Sequence, residues 1–328
     1  MPKKSFIRTI IYRRPSIGLV LSGGGAHGLA HIGVLRVLER EGVPINFLAG
    51  TSFGGLVAAG YAAGMHADDL EREARDATQM SNLLRMLDPG LPQGGLLRGQ
   101  KVEEYFKHLF GEQTFADLQI PLAVVAVDLI SHREVVIDSG QVATAIRATT
   151  AMPGVFRPVE MDGMRLTDGG VLNNLPVDVA KKMGAERVIA VDIGLNNQEG
   201  FGHWIGNHRW IPGSVSMTLE VIDDALYTVR IVGQEQKLQK FPPDVLIAPE
   251  LPSNISAVVG YGRVGDLIAA GERAAEEHIE DIKMLLHGSR HFSIPNKARS
   301  ARKGLPAYQF MNKTSFRTDR TLPSQKEP

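Results

Sequence analysis

Two glycine-rich turns near the start of the chain constrain its fold more than any other feature. The first is Gly23-Gly24-Gly25-Ala26-His27-Gly28, a G-x-G-x-x-G pattern. The second is Gly50-Thr51-Ser52-Phe53-Gly54, a G-x-S-x-G pattern. Each follows a short apolar run and precedes a helical pattern. Ser16–Leu21 reads as a buried strand and Phe47-Leu48-Ala49 as another. Between them, Ile32, Val34, Leu35 and Leu38 give 29–40 the spacing of a helix packed on a sheet, closed by Gly42. Leu56–Ala63 reads as a second helix, closed by Gly64. Strand, helix, strand, helix with short links requires crossover connections, so the sheet is expected to be mostly parallel.

The stretch Val43–Met65 carries no charge, and its length would suit a membrane span. Pro44, Asn46, Thr51, Ser52 and its glycines argue for a buried strand, turn and helix instead. Further along, 66–118 reads as polar and helical, with a Pro/Gly-rich interruption at Asp88–Gly99 that suits a mobile loop or lid. Leu122–Ile130 is a strand, with Glu134–Ile137 its hairpin partner, and Val142–Thr149 a helix. Asp162-Gly163 joins 159–161 to 164–166 as a hairpin. Arg187–Ile193 and Val245–Ile247 are strands; 215–240 and 262–286 are helices.

The first glycine turn supports two chemistries. A dinucleotide site would need an acid at the end of the next strand to hold the ribose. That strand ends Leu48-Ala49-Gly50-Thr51, without one. The other chemistry is an oxyanion hole, in which backbone N–H groups face a developing negative charge. With 35 glycines in the chain, the pattern alone is weak, and it recurs at Gly260–Gly265 as a plain turn before a helix. The second turn has the form of a nucleophile elbow, which lifts a serine hydroxyl off the sheet. Adjacent βα turns would set Ser52 beside the glycine-loop amides.

A serine nucleophile needs a base. His203, His208 and His278 follow the acid candidates in a triad-like order, and His287 and His291 lie in the tail; none has a distinctive setting. Thr167-Asp168-Gly169-Gly170 offers a carboxylate at a strand end with open space beside it. There Asp168 could take the serine proton directly. Asp128 and Asp192 also end apolar strands and read as loop caps.

Together these residues resemble the patatin-like phospholipase family, most of all its bacterial members related to neuropathy target esterase. The resemblance rests on Gly23–Gly28, Gly50–Gly54 and Asp168-Gly169-Gly170 in that order, with Ala151–Val159 similar to the segment before the family's acid. It covers about 17–193 and continues more weakly to 286. It implies an α/β/α sandwich, Ser52 as nucleophile, Asp168 as base, and oxyanion donors among Gly23, Gly24, Gly25 and Ala26. It implies hydrolysis of acyl esters of phospholipids or lysophospholipids, hence lipid metabolism, without a cofactor or a metal. Many members place Arg or Lys where this chain has His27, which implies a substrate contact there that is cationic only when protonated. His31 reads as a packing residue. The readings that compete are a catalytically silent lipid- or partner-binding protein on the same fold and a Ser-His-Asp esterase.

Charge organises the ends. The 36 basic and 36 acidic side chains cancel, which excludes a nucleic-acid-coating protein. Residues 1–15 nevertheless hold five basic and no acidic side chains, net +5, and 287–328 hold nine and two, net +7. Between them, 16–286 hold 22 and 34, net −12. The expected organisation is a basic extension at 1–15, a hydrolase domain at 16–286 and a basic, disordered tail at 287–328. The basic ends offer peripheral attachment to an anionic membrane surface. The absence of cysteine and of a secretory leader suits a cytoplasmic enzyme, peripheral on the inner membrane surface.

Overall fold

The computed structural model describes residues 14–89, 95, 97–194, 213–252 and 260–286, with the backbone alone at 213–220, 222, 223, 260 and 261. Eight strands among them form one sheet: β1 (Ile17–Leu21), β2 (Phe47–Thr51), β3 (Leu122–Asp128), β4 (Arg133–Ile137), β5 (Val159–Met161), β6 (Met164–Asp168), β7 (Arg187–Val191) and β8 (Val245–Ile247). Their order is β5-β6-β3-β2-β1-β7-β8, with β4 also paired to β3. β1, β2, β3, β7 and β8 run parallel; β4, β5 and β6 are antiparallel additions at one side.

The helices are α1 (Ala30–Arg40), α2 (Ser52–Ala62), α3 (Ala67–Ala77), α4 (Met80–Met86), α5 (Gln100–Phe110), α6 (Val142–Thr149), α7 (Val177–Lys182), α8 (Gly213–Lys240), α9 (Val264–Glu277) and α10 (Ile279–Leu286). Alternate strand residues face opposite sides of the sheet, and both sides are covered. Ile17, Leu19 and Leu21 pack with α1, α2, α6 and α9 in the larger core. Val20, Ala49, Val125 and Ala190 pack with α7 and with Leu238 of α8 in the smaller one. This gives the three-layer α/β/α sandwich. Because both faces are buried, all residues of β1 and β3 are buried, and the strands read as unbroken apolar runs rather than alternating ones.

Several elements differ from the sequence reading in informative ways. α2 starts at Ser52 itself rather than at Leu56, because the chain turns from strand to helix within one residue. A 3-10 helix, Gly25–Leu29, precedes α1. The stretch 262–286 breaks into α9 and α10 at His278, whose Nδ1 lies 2.8 Å from the Ala274 carbonyl of its own helix. Of the interruption expected to be mobile, the described ends are anchored. Asp88 caps α5 by accepting the N–H groups of Gly99 (2.9 Å) and Gln100 (2.6 Å), and Leu97 exchanges backbone hydrogen bonds with Val155 and Arg157. Residues 90–94 and 96, the basic residues of 1–13 and the whole 287–328 tail lie outside the described residues.

α1 and α9 cross so closely that two glycines interlock. A methyl group at Gly33 would overlap the Ile268 carbonyl, and one at Gly271 would overlap that of Ala30. Arg36 of α1 adds ion pairs to Asp68 (3.0 Å) and Glu272 (2.6 Å). Overpacking a tight backbone contact typically destabilises by about 1–3 kcal/mol. Gly271→Ala should therefore lower the melting temperature by several degrees, read by thermal unfolding. An unchanged melting curve would show that the helices separate freely.

Candidate active site

One edge of β3 is shared by two strands in succession. β2 pairs with it up to Thr51 opposite Val125, and β6 pairs from Ala126, opposite Asp168, onward. β4 occupies the other edge from Val124 to Asp128. The chain thus leaves the sheet at Ser52 where it arrives at Asp168, and adjacent residues of β3 hold the two side by side. The Ser52 Oγ–H donates to Asp168 Oδ2 at 2.6 Å. The other oxygen, Oδ1, accepts the Gly170 N–H at 2.7 Å. Ser52 is 8% exposed and Asp168 6%.

Ser52 has a φ of 53°, in the left-handed region. For a residue other than glycine this conformation costs on the order of 1–3 kcal/mol and must be held by its surroundings. Thr149, the last residue of α6, supplies part of the hold. Its Oγ1 accepts the Ser52 N–H at 2.9 Å and its hydroxyl donates to the Val125 carbonyl. A methyl at Gly54 would overlap the carbonyls of Leu21 and Ser22, and Gly50 lies against Gly55, so the elbow glycines give β1, β2 and α2 their close approach. Gly169 fits against the Val125 carbonyl for the same reason.

The glycine loop lies on the other side of Ser52. Gly23 would carry a Cβ 3.0 Å from that of Ser52. Its N–H donates to the Asn174 carbonyl at 3.2 Å, which corrects the expectation that it is an open donor. The acceptor belongs to the loop that follows Asp168-Gly169-Gly170. Gly24, Gly25 and Ala26 head the 3-10 helix, where N–H groups have no intrahelical acceptor, and Gly24 and Gly25 are half-buried. Gly28 abuts the Phe53 ring, packing this short helix on the elbow. His27 is buried, 3% exposed. His31 is fully buried, with Nε2 2.8 Å from the Ser22 carbonyl, and burial pushes its pKa down to about 4, so it is a neutral packing group.

Sequence reasoning passed over the residues that join these parts, Asn173 and Asn174. The Asn173 carbonyl accepts the Thr51 hydroxyl at 2.8 Å, while its side chain donates to Glu134 (3.0 Å) and Asp178 (2.9 Å). The Asn174 side chain donates to the Gly23 carbonyl at 3.2 Å, so Gly23 is held from both sides. The only sequence signal was two adjacent amides just after Asp168-Gly169-Gly170 and before a proline. The rival carboxylates are caps. Asp128 accepts the N–H groups of Ile130 (3.1 Å), Ser131 (3.0 Å) and Arg165 (2.9 Å) and is held well below the usual carboxylate range by Ser131 and these amides. Asp192 accepts the N–H of Gly194 at 3.0 Å and the Gln234 amide at 2.5 Å. His203, His208, His287 and His291 lie outside the described residues. Among the described residues no three His, Asp or Glu side chains cluster as metal ligands.

A patatin-like phospholipase family model matches residues 19–181. The chain is 38% identical to an uncharacterised NTE family protein of Mycobacterium tuberculosis over 61% of its own length and 54% of that protein's. It is 36% identical to patatin-like phospholipase domain-containing protein 6 of Homo sapiens over 56% of its own length and 14% of that protein's. It is 28% identical to lysophospholipase NTE1 of Candida albicans over 86% of its own length and 21% of that protein's. The chain belongs to the patatin-like phospholipase family, and its sandwich is the patatin fold. It spans about half the length of the mycobacterial relative that it matches, and far less of the other two.

Burial raises the Asp168 pKa to about 6; the hydrogen bonds from Ser52 and Gly170 and the charge of Arg230 oppose the shift without cancelling it. A carboxylate whose folded pKa lies above its unfolded value contributes stability below the unfolded pKa and loses it as pH rises through the folded one. The window here runs from about 4 to about 6 and is worth about 3 kcal/mol. Asp168→Asn removes that loss. In urea unfolding at a series of pH values, the variant should gain on the parent between pH 4 and 7. A constant difference would place an ordinary carboxylate at 168.

Proposed function

We propose that the chain is a serine hydrolase of lipid carboxylic esters, phospholipid or lysophospholipid, working through a Ser52–Asp168 dyad. The observation that carries this reading is the 2.6 Å hydrogen bond from the Ser52 hydroxyl straight to the Asp168 carboxylate. In the reaction, Asp168 takes the Ser52 proton as Oγ bonds to the ester carbonyl carbon. The amides of Gly24, Gly25 and Ala26 receive the negative charge that develops on the carbonyl oxygen. Such a donor is typically worth about 3 kcal/mol of transition-state stabilisation. The tetrahedral intermediate expels the alcohol, which leaves with the proton held by Asp168. Water then attacks the acyl-enzyme, its proton passing through Asp168 to Ser52, and the fatty acid departs.

Lipid as the substrate class is supported by family membership and by the name lysophospholipase carried by the Candida albicans relative. A triad would need His203, His208, His278, His287 or His291 as its base, and the His278 ring is bonded through Nδ1 within its own helix. Its carboxylate would also have to be free of the serine, whereas here the two are already bonded.

Ser52→Ala should abolish hydrolysis of p-nitrophenyl esters and lysophospholipids, and a fluorophosphonate should label Ser52 in the parent. Full activity in folded Ser52→Ala would sink the assignment; a lack of labelling would favour a silent lipid-binding protein. With Asp168 as a base of pKa about 6, kcat/KM should rise about tenfold per pH unit below 6 and level off above it.

Among the described residues no helix is long and apolar enough to cross a membrane. We assign access to the lipid surface to the basic ends, each Lys or Arg near an anionic surface contributing about 1 kcal/mol. Changing the nine Lys/Arg of 287–328 to Gln should reduce sedimentation with anionic vesicles. Unchanged sedimentation would remove this role from the tail.

A further inference from the structure

α6 has a second working side. Thr149 faces the elbow, and Arg147, two residues earlier, projects about 200° around the helix from it. On that side lies a cavity of about 270 Å³ whose lining includes Arg98, Arg147, Arg157, Gln100, Glu103 and Glu160. None of these residues takes part in the proposed hydrolysis.

Arg147 is 3% exposed. Its Nε–H donates to the Gly99 carbonyl at 3.0 Å, and its Nη2 donates to the carbonyls of Arg98 (3.2 Å) and Arg157 (3.0 Å). The Phe156 ring covers one face of the guanidinium, 5.2 Å from its carbon to the ring centroid. Nη1 is buried and has no hydrogen-bond acceptor among the described residues. All three acceptors are neutral. Burial holds the Arg147 pKa below the ordinary guanidinium value, with Glu103 and Asp88 opposing only at longer range.

The neighbouring acids are engaged elsewhere. Glu103 pairs with Lys107 at 2.7 Å and Glu160 meets Arg165 at 3.8 Å. Asp88 is committed to the α5 cap. A buried cation without a counter-charge is expensive, and one that keeps a spare N–H beside an arginine-lined cavity is suited to an anion. Guanidinium groups match phosphate oxygens two at a time, and three of them around one space suit a tetrahedral dianion better than a flat carboxylate. The volume leaves room for a small group attached to the phosphorus.

We infer that this cavity binds a phosphate group, free or as a monoester, through the guanidinium groups of Arg98 and Arg147. The site is separate from ester hydrolysis, so its test uses no substrate turnover. Full-length protein is titrated calorimetrically with inorganic phosphate and with glycerol 3-phosphate, and sedimented with phosphatidylcholine vesicles with and without phosphatidic acid. The comparison variant is Arg98→Glu. The Arg98 side chain is exposed and only its carbonyl bonds to Arg147, so the variant retains that strap. Saturable binding of a soluble phosphate, weakened at least about tenfold in Arg98→Glu, identifies a soluble ligand. Binding confined to phosphatidic-acid vesicles and equally sensitive to Arg98→Glu identifies a lipid headgroup. A phosphate-induced rise in melting temperature that Arg147→Lys diminishes supports either form. No binding in any arm, or binding that Arg98→Glu leaves unchanged, overturns the inference.

Discussion

β3 lends one of its edges first to β2 and then, from the very next residue, to β6. The juxtaposition of Ser52 and Asp168 depends on that handover. A parallel strand that ended where it turned into a helix would normally leave its neighbour's edge open. Here the antiparallel hairpin β5-β6 fills the vacated edge and brings in a carboxylate at its last residue. Two residues 116 positions apart are then aligned by the spacing of neighbouring residues on a fully buried strand. Such a strand has little freedom to slip, because a shift of one residue would turn its side chains to the wrong layer.

Around this frame the parts are held by short links rather than by ion pairs. Thr149 ties the Ser52 amide to β3, and Asn173 ties Thr51 to the segment after Asp168. Asn174 fixes Gly23 through both its backbone and its side chain. The result is a positive-φ serine kept in place by neutral groups. Its neighbouring carboxylate is therefore desolvated without being overwhelmed by a cation, and the Asp168 pKa settles at about 6.

The fold and the site were legible to different depths. The two glycine turns and the apolar runs before them were enough to anticipate the parallel sheet, since a buried strand, a tight turn and an amphipathic helix each leave a local signature. Asp168 could be singled out because an Asp-Gly hairpin sets the direction of its strand. The handover on β3 could not be read, because register between strands distant in sequence leaves no local mark. Asn173 and Asn174 were missed for a similar reason: an amide that clamps a remote peptide looks like any polar loop residue. The start of α2 was placed four residues late because Ser52, Phe53, Gly54 and Gly55 have poor helix propensity, and tertiary packing overrides it.

The separation of Ser52 from Asp168 along the chain has a consequence during synthesis. A nascent chain that has emerged only through β3 carries the serine and the glycine loop, yet not Asp168, the base of the proposed dyad. Its elbow also lacks Thr149 and the two asparagines, so the strained serine has little reason to form. On the proposed dyad, a product truncated before β6 carries Ser52 with no partner carboxylate and so no complete catalytic pair.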